Sequence, residues 1–413
     1  QEARATDVGK GGRWWWGVVG ALLLAGCPSA CNKKESSRPF QLTGQVGSRG
    51  AGFASALYQT TGVRMEPRNR IRWANNGAVF DVMVEEIGRA RASINIVMFI
   101  WRPGRASDRM IEALAERARA GVHCRVLVDP LGSGPFETAV KPRLEAAGCE
   151  AHLFRPLPAD ENLARNHRKI VVVDGRVAIT GGLAIQDEWL GNARNEKEWR
   201  DTNVRVQGPV VAQLQQAFAE NWQEATGELL PMTDFPTLSA DQPGLDAAGE
   251  GWAAFVSSTA NPEVTRAERL TQLMVKAAKK RLWISQAYFT PNDALTALLV
   301  ERARAGVDVR VLAPGDKNDQ RAITVLQRQT YDTLRAAGVR LWEYQPSMMH
   351  AKTMLVDDRL VLVGSINYDA LSFNLLEEGS LVLEDVEAAR QLEALFLEDL
   401  TQAREVQAEQ AHR

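Results

Sequence analysis

The stretch ERARAGV at residues 116–122 occurs twice in this chain, and its second copy lies at residues 301–307. Each copy follows an apolar run typical of a strand and precedes another one. The glycine in each copy is the C-terminal stop typical of a helix. A second repeat lies further along each half, because LEAAG at residues 144–148 is matched by LRAAG at residues 334–338. Repeated strand–helix–strand units predict an α/β fold of two homologous lobes, each a mixed β-sheet flanked by helices and related to the other by a pseudo-twofold axis.

Between the two repeats the sequence changes character. Residues 226–258 lose the periodicity of the flanking regions and collect proline and glycine, which is typical of a linker or a long surface connection. We therefore predict a first lobe at residues 46–225, a linker at 226–258, a second lobe at 259–400 and a polar tail at 401–413. A cleft between the two lobes is the expected place for a functional site.

The N-terminal region differs in composition from the rest of the chain. Three basic residues precede an apolar run at residues 14–25, which ends in Leu-Ala-Gly followed by Cys27. This pattern predicts a signal peptide of the lipoprotein type at residues 1–26, with lipidation of Cys27 and a polar tether at residues 27–45. The alternatives are an ordinary cleaved signal and an anchor helix with an incidental cysteine. The expected location is the bacterial cell envelope, where the exported protein would be a membrane-anchored lipoprotein.

The overall composition of the 413 residues is that of a globular protein, with 45% hydrophobic and 24% charged residues. The formal net charge of −2 lacks the basic excess typical of nucleic-acid binding, so we expect no nucleic-acid partner. Besides Cys27 and Cys31 the chain contains Cys124 and Cys149. An envelope location permits a disulfide between these two, but two buried free thiols are the favoured interpretation. No cysteine and histidine cluster has the spacing of metal ligands, so we expect no metal site.

Two of the five histidines begin the same pattern, one in each half of the chain. In each pattern a lysine follows two positions after the histidine, and an aspartate follows five positions after the lysine. The residues are His167, Lys169 and Asp174 in the first half, and His350, Lys352 and Asp357 in the second. Residues two apart on a strand share a face, so each histidine and its lysine project together. The aspartates lie at hairpin turns with odd spacing, and we interpret them as structural residues that hold the hairpin or the lobe contacts.

With these motifs the sequence resembles the phospholipase D superfamily, which carries paired HxKx4D motifs, and in particular its bacterial cardiolipin synthase branch. The segments that carry the resemblance are 166–169, 181–182 and 199–202 in the first half, and 287–291, 349–352 and 364–367 in the second. The resemblance implies two phospholipase D-like lobes with one active site at their junction.

The resemblance implies a mechanism in which one imidazole attacks phosphorus and the other transfers protons. By analogy His167 is the nucleophile and His350 is the acid and base, and the reverse assignment stays open. The groups that would hold the substrate phosphate are Lys169, Lys352, Ser365 and Asn367. No cofactor is expected, because lysine and amide groups stabilise the charge of the transition state.

In such a site a carboxylate orients each histidine through its other ring nitrogen. Asp201, in the Trp-Arg-Asp-Thr segment, matches this position in the first half. Glu378 is the better match in the second half, and its neighbour Glu377 is the alternative.

Three positions depart from the family pattern. Ala184 stands where the first motif usually has asparagine, and Leu371 and Leu376 stand where the second half usually has arginine and asparagine. Without the amide that asparagine would provide at position 184, the phosphate site would have fewer hydrogen-bond donors on the side of the first half, unless a neighbour such as Gln186 replaces it.

The function that the resemblance implies is phosphatidyl transfer of the cardiolipin synthase type, with headgroups exchanged through a phosphohistidine intermediate. The expected partners are phospholipid substrates and a membrane surface reached through the lipid anchor, and the oligomeric state is open. The alternatives are a hydrolytic phospholipase D, a nuclease and a silent lipid-binding protein. Four aromatic residues either line a lipid entrance or pack in the core: Trp101, Trp189, Tyr288 and Phe289.

Overall fold

The computed structural model describes residues 40–157, 164–236, 249–261 and 263–407. The predicted signal peptide, Cys27 and most of the predicted tether lie outside the described residues. Among the described residues, no helix is both long enough and apolar enough to cross a bilayer.

Strands and helices alternate along most of the described chain. The strands are β1 Glu66–Asn75, β2 Ser93–Met98, β3 His123–Val128, β4 Glu150–Leu153, β5 Arg165–Asn166, β6 Ile170–Val173, β7 Val177–Gly181, β8 Thr202–Gln207, β9 Gly251–Ser258, β10 Arg281–Gln286, β11 Asp308–Pro314, β12 Arg340–Tyr344, β13 Lys352–Val356, β14 Leu360–Gly364, β15 Leu376–Glu384 and β16 Ala403–Glu405. The α-helices are Gly50–Thr61, Ala78–Gly88, Arg105–Arg119, Lys141–Ala146, Val211–Thr226, Arg266–Ala277, Asp293–Arg304, Arg321–Gln329, Tyr331–Ala336, Ala370–Asn374 and Val386–Thr401.

The repeated stretch lies where two equivalent helices end. Helices Arg105–Arg119 and Asp293–Arg304 stop two residues before Gly121 and Gly306. These glycines have φ values of 87° and 86°, in the left-handed region that a side chain disfavours. The same local chemistry therefore ends the same helix in both halves.

The strands form one mixed sheet whose order repeats from its centre outward. In one direction the order is β9, β15, β14, β13, β10, β11 and β12, and in the other it is β1, β8, β7, β6, β2, β3 and β4. Strands β10, β11 and β12 of one half, and β2, β3 and β4 of the other, are parallel, whereas the inner strands are antiparallel. Antiparallel pairing of β1 with β9 joins the two halves. This arrangement confirms the predicted mixed α/β fold with two equivalent halves, and it shows that the halves share one continuous sheet.

Three apolar cores stabilise this arrangement. Helices Ala78–Gly88 and Arg105–Arg119 cover the outer face of the first half, while helices Arg266–Ala277 and Asp293–Arg304 cover that of the second. A third core contains inward-facing residues of both halves, such as Val172 of β6 and Val363 of β14, together with helices Val211–Thr226 and Val386–Thr401. The halves are thus buried against each other, which holds the junction in a fixed geometry.

Three of the predicted boundaries between lobes, linker and tail differ from those in the structure. Residues 251–258, predicted to be linker, form the central strand β9, because they pair with β15 and β1. Helix Gly50–Thr61, predicted to belong to the first lobe, buries Phe53 and Leu57 in the core of the second half. Residues 403–405, predicted to be polar tail, form β16 on the edge strand β12.

The prediction of two free thiols is wrong, because Cys124 and Cys149 form a disulfide bond. Cys124 lies on β3 and Cys149 directly precedes β4. These strands are parallel neighbours in which Arg125 is paired with Glu150. That register brings the two Cα atoms to 4.7 Å, within the range that a disulfide requires.

Candidate active site at the junction of the two halves

Both motif histidines lie where the two halves meet, and each is tied to the opposite half through its backbone. His167 follows β5, and its N–H donates to the carbonyl of Glu377 at 2.8 Å. His350 precedes β13, and its N–H donates to the carbonyl of Arg200 at 2.6 Å. Each histidine is therefore positioned by a strand or segment of the other half.

The two histidines line one cavity. Lys169 and Asn367 contribute further polar groups to its wall. Most of the remaining wall is apolar, formed by Phe99, Ile100, Leu131, Trp189, Trp199, Tyr288, Ile323, Leu371 and Leu376. A cavity with two converging imidazoles and a largely apolar wall is suited to a substrate that carries both a reactive polar centre and hydrocarbon.

A buried carboxylate from the opposite half holds each histidine ring. Glu378 accepts a hydrogen bond from Nδ1 of His167, with distances of 2.9 and 3.0 Å to its two oxygens. Asp201 accepts from Nδ1 of His350 at 3.1 Å. Both carboxylates have no exposed surface. Because Nδ1 is engaged on each ring, Nε2 is the nitrogen left for chemistry, and the crossed pairing makes each half incomplete without the other.

Two serine hydroxyl groups donate hydrogen bonds to the carboxylate of Glu378. Ser365 and Ser372 donate to its two oxygens, the latter at 2.6 Å. The Ser365 hydroxyl also accepts from the N–H of Gly379 at 3.0 Å. Ser365 does not belong to the cavity wall. Its contacts position Glu378, and its predicted role in binding the substrate phosphate stays a prediction.

Asp201 is held by an indole and by the backbone. Trp189 Nε1 donates to one oxygen at 2.7 Å, and the N–H of Thr202 donates to the other at 2.8 Å. Gly182 leaves room for this carboxylate, since a Cβ atom there would lie 2.4 Å from Oδ1. The second glycine of the Gly181–Gly182 pair is thus required by the group that orients His350.

Burial keeps both imidazoles neutral. It lowers the pKa of His167 to about 4, and the opposing attraction of Glu378 only partly compensates. It lowers the pKa of His350 to about 3, and the nearby Lys352 ammonium lowers it further against the effect of Asp201. At neutral pH each empty-site ring therefore carries one proton, on the Nδ1 that donates to its carboxylate. Nε2 is then the unprotonated nitrogen of each ring, and in His350 it lies 3.0 Å from Nζ of Lys352.

The two lysines occupy different positions relative to their histidines. Lys169 donates to the carbonyl oxygen of His167, and its Nζ lies 5.1 Å from the ring centre of Phe99. Lys352 Nζ lies 3.0 Å from each ring nitrogen of His350. Burial lowers the pKa of Lys352 to about 8 and that of Lys169 well below its usual value. An anion that enters the cavity would favour the protonated form of both amines.

Asn367 is the clearest unsatisfied group at the cavity. Its side chain is 3% exposed, and its Oδ1 has no hydrogen-bond partner among the described residues. The equivalent position in the first half is Ala184, which also lines the cavity. Gln186 does not line the cavity in the structure. The polar lining of the cavity is asymmetric, with an amide on one side and a methyl group on the other.

The motif aspartates lie away from the cavity, at hairpin turns. Asp174 and Asp357 both have φ values of 53°. The carboxylate of Asp174 accepts from the backbone N–H groups of residues 91–93, and that of Asp357 from residues 279–281. Each one ties its hairpin to the turn that precedes the adjacent strand, β2 or β10.

Aromatic rings surround both imidazoles. Phe99 meets His167 edge-on at 4.9 Å, and Trp189 and Trp199 lie 5.0 and 5.3 Å from His350 between ring centres. Sequence reasoning left Trp189 undecided and missed Phe99 and Trp199 as wall residues. Trp199 belongs to the same Trp-Arg-Asp-Thr segment as Asp201. Its position two residues before Asp201 could have identified it as a wall residue.

Glu377, the alternative to Glu378, faces the other side of β15. It accepts from Arg155 at 2.8 Å and from Asn221 at 2.7 Å, and it pairs with Arg168 at 3.1 Å. All three partners belong to the first half. The Glu377 carboxylate therefore joins the halves through a buried ion-pair network, and Glu377 contacts His167 through its backbone carbonyl and not through its side chain.

A family model described as "Cardiolipin synthase, PLD-like domain" matches this chain twice, over residues 83–222 and 272–400. Each match contains one histidine, one lysine and one orienting carboxylate of the cavity. The chain belongs to this family. The duplicated family domain explains the repeated strand order and the two histidines that converge on one cavity.

Individual members of the family are similar over most of the chain. The cardiolipin synthase A of Pseudomonas putida is 35% identical over 346 residues, which are 83% of this chain and 70% of that protein. The cardiolipin synthase of Geobacillus sp. strain WCH70 is 34% identical over 334 residues, which are 80% of this chain and 65% of that protein.

Solved structures with this fold include two bacterial proteins. The phosphatidylserine synthase of Haemophilus influenzae Rd KW20 superposes with a TM-score of 0.65 at 13% identity, over 85% of this chain and 91% of its own. The polyphosphate kinase of Porphyromonas gingivalis gives a TM-score of 0.54 at 10% identity, over 91% of this chain and 53% of its own. At these identities the similarity establishes the fold.

Proposed function

We propose that this chain is a phosphatidyltransferase of the cardiolipin synthase type, which uses phosphatidylglycerol as both donor and acceptor. The observation that carries the proposal is the pair of neutral, carboxylate-held imidazoles on one apolar-walled cavity. The similarity to proteins named cardiolipin synthase supports the choice of lipid.

In the first step Nε2 of His167 attacks the phosphorus of phosphatidylglycerol. A P–N bond forms and the P–O bond to the leaving glycerol breaks, while His350 donates a proton to the glycerol oxygen. Burial holds the pKa of His350 at about 3 in the empty site, and the anionic phosphodiester raises it when the substrate binds, so that Nε2 takes up from solvent the proton that it then donates. The products are free glycerol and a phosphatidyl group on His167.

In the second step a hydroxyl of a second phosphatidylglycerol attacks the same phosphorus. His350 takes the hydroxyl proton, the P–N bond breaks, and cardiolipin leaves with His167 restored. Lys169, Lys352 and Asn367 stabilise the negative charge on the phosphorus oxygens in both steps. The apolar wall disfavours water as the competing acceptor.

We also propose that the protein is exported and anchored to a membrane through a lipidated Cys27. The disulfide between Cys124 and Cys149 supports export, because such bonds persist in oxidising compartments. Fractionation of cells that produce the wild type or Cys27→Ser, with mass spectrometry of the mature N-terminus, tests this proposal. An intact, unmodified N-terminus on a wild-type protein recovered in the cytoplasm contradicts it.

The central experiment is a lipid profile of the reaction. Purified protein with phosphatidylglycerol vesicles and EDTA should produce cardiolipin and glycerol in equal amounts. His167→Ala and His350→Ala should each abolish the reaction, because neither imidazole can perform both steps. Phosphatidic acid as the sole lipid product would instead identify a hydrolase, and turnover that EDTA removes would contradict the proposed mechanism.

A further inference from the structure

The helix Arg321–Gln329 has its polarity reversed. Its buried face includes the polar residues Thr324 and Gln327, whereas Val325 and Leu326 on the opposite face are 60% and 37% exposed. The Gln327 amide nitrogen donates to Pro314 O at 2.9 Å, whereas Thr324 Oγ1 has no hydrogen-bond partner among the described residues. A helix on the surface of a water-soluble domain normally buries its apolar stripe. The exposed apolar stripe, Val325 and Leu326, therefore indicates contact with an apolar environment outside the described chain.

This helix begins at the mouth of the cavity. Gln320, directly before the helix, and Ile323, in its first turn, both line the cavity wall. Leu371 and Leu376 form another part of the wall, and Leu375 beside them is 43% exposed. An apolar surface thus continues from the interior of the cavity to its outer rim. We call Val325, Leu326 and Leu375 the rim face.

A cation, Arg321, lies next to the rim face. The exposed face of the helix consists of Arg321, Ala322, Val325, Leu326 and Gln329, and it contains no acidic residue. Arg328 lies to one side, where both carboxylate oxygens of Glu343 accept from it at 2.8 Å and Asp316 accepts at 2.7 Å. An apolar stripe with a cation at its end is complementary to a lipid surface that displays anionic headgroups.

We infer that the rim face docks on an anionic phospholipid bilayer, so that a lipid passes from the bilayer into the cavity without crossing water. The inference rests on the proposed function, since a diacyl substrate needs an apolar path to the histidines. Docking buries Val325, Leu326 and Leu375 among the acyl chains and places Arg321 at the headgroup phosphates.

Charge reversal of the apolar stripe tests the inference through turnover. Val325→Glu combined with Leu326→Glu should lower turnover of phosphatidylglycerol vesicles by about tenfold or more, because each buried side chain contributes roughly a factor of ten to partitioning. Turnover of a dispersed short-chain phosphatidylglycerol should stay unchanged. Leu229→Glu is the matched control, since Leu229 is 81% exposed and does not line the cavity, and it should leave both activities intact.

The two substrates separate failure of docking from failure of the proposed function. If the wild type turns over neither form of phosphatidylglycerol, the proposed function is wrong. If the wild type is active and the double variant retains full turnover of vesicles, the docking inference is wrong. Equal losses on vesicles and on dispersed lipid would also overturn it, because they would indicate damage to the cavity itself.

Hydrogen exchange gives a readout that does not depend on activity. Full-length His167→Ala should show slower amide exchange at residues 320–329 and 370–376 with vesicles of phosphatidylglycerol and phosphatidylcholine than without vesicles. Vesicles of phosphatidylcholine alone should give weaker protection. Unchanged exchange in these segments while the protein is bound to vesicles would overturn the inference. Full protection without any vesicle would overturn it too, because another part of the chain would then cover the rim face.

Discussion

Glu377 and Glu378 are adjacent on β15, yet they face opposite sides of the strand and have different partners. Glu378 accepts from His167 within the cavity wall, so Glu378→Gln should remove the charge that orients the ring. We expect kcat to fall about 100-fold with little change in KM, as for other groups that orient a catalytic ring. Steady-state kinetics on phosphatidylglycerol measure this effect. Unchanged kcat would contradict a positioning role for Glu378.

Glu377→Gln is the matched variant of the neighbouring position. It should remove the nearer carboxylate partner of Arg168, which has no exposed surface, and leave only the more distant Glu220 at 4.0 Å. An uncompensated buried charge costs about 3–5 kcal/mol of folding free energy. We expect a lower thermal unfolding midpoint than that of Glu378→Gln. A larger destabilisation in Glu378→Gln would reverse the assignment of the two residues.

The two histidines should make the protein sensitive to mild acid. Their pKa values are about 4 and about 3 in the folded protein, whereas an imidazole in an unfolded chain titrates near 6.5. Below pH 6.5 the unfolded state therefore binds more protons, and the free energy of unfolding falls as the pH decreases towards 4. At pH 5 the expected loss is about 2 kcal/mol for each histidine.

Unfolding midpoints at pH 7 and pH 5 measure this loss. His167→Gln should show a smaller decrease between the two pH values than the wild type. His152→Gln is the control, because the His152 side chain is 38% exposed and lies outside the active-site cavity. An equal pH dependence in the wild type and His167→Gln would show that His167 is not held neutral by burial.

Sequence reasoning at the residue scale identified the groups but not their pairing. The spacing of the two motifs was sufficient to predict that each histidine and its lysine lie on one face of a strand and that both pairs contribute to one site. Hydrogen bonding of Glu378 to His167, and of Asp201 to His350, depends on how the two halves approach each other. The position of Ser365 behind Glu378 has a different origin, since it depends on the pairing of β14 with β15 within the second half.

At the scale of secondary structure, the motif aspartates hold turns. Asp357 has a left-handed backbone, which asparagine also tolerates, so Asp357→Asn isolates the loss of the charge. Its carboxylate accepts from three consecutive N–H groups, and we expect the variant to lose about 1–2 kcal/mol of folding free energy. Activity at low temperature should remain, because Asp357 does not line the cavity.

Asp358→Asn provides the comparison for this prediction. The Asp358 side chain is 69% exposed and pairs only with its neighbour Arg359 at 3.2 Å. Its substitution should change the folding free energy by less than about 0.5 kcal/mol. Denaturant unfolding of both variants measures the difference. Similar effects at the two positions would mean that the three N–H contacts of Asp357 contribute nothing.

Element boundaries were predictable where a local signal exists. The repeated glycines marked the ends of two helices, because a left-handed residue stops a helix whatever surrounds it. β9 was assigned to the linker because the proline-rich stretch before it obscured the boundary. Its strand character depends on two neighbours, β15 and β1, which are distant in sequence. The same applies to β16, three residues long, whose partner is β12.

At the scale of the whole molecule, the duplication predicted two equivalent halves but not their fusion into one sheet. The fusion depends on the pairing of β1 with β9, and neither strand carries a motif that specifies its partner. The disulfide was missed for a related reason. Cys124 and Cys149 become neighbours only through the register of β3 and β4, which the spacing of cysteines does not reveal.

Arg200 links the two halves and the active site in one contact network. Its guanidinium donates to both oxygens of Asp399 at 2.7 and 2.8 Å, and both side chains are less than one tenth exposed. The same group donates to the carbonyl of Asp201 and to Thr202 Oγ1. Interface stability and the position of the carboxylate that holds His350 therefore depend on the same side chain.

A double-mutant cycle separates these two roles. Asp399→Leu alone should cost about 3–5 kcal/mol, because it leaves the Arg200 charge buried and unpaired. Adding Arg200→Met should restore most of that stability, since an apolar pair replaces the ion pair. Activity should not return with stability, because no guanidinium then holds the Asp201 backbone. Unfolding midpoints and kcat, measured on the same preparations, test both parts. Additive losses of stability would show that the two residues are energetically independent, and recovery of kcat in the double variant would show that Asp201 keeps its position without Arg200.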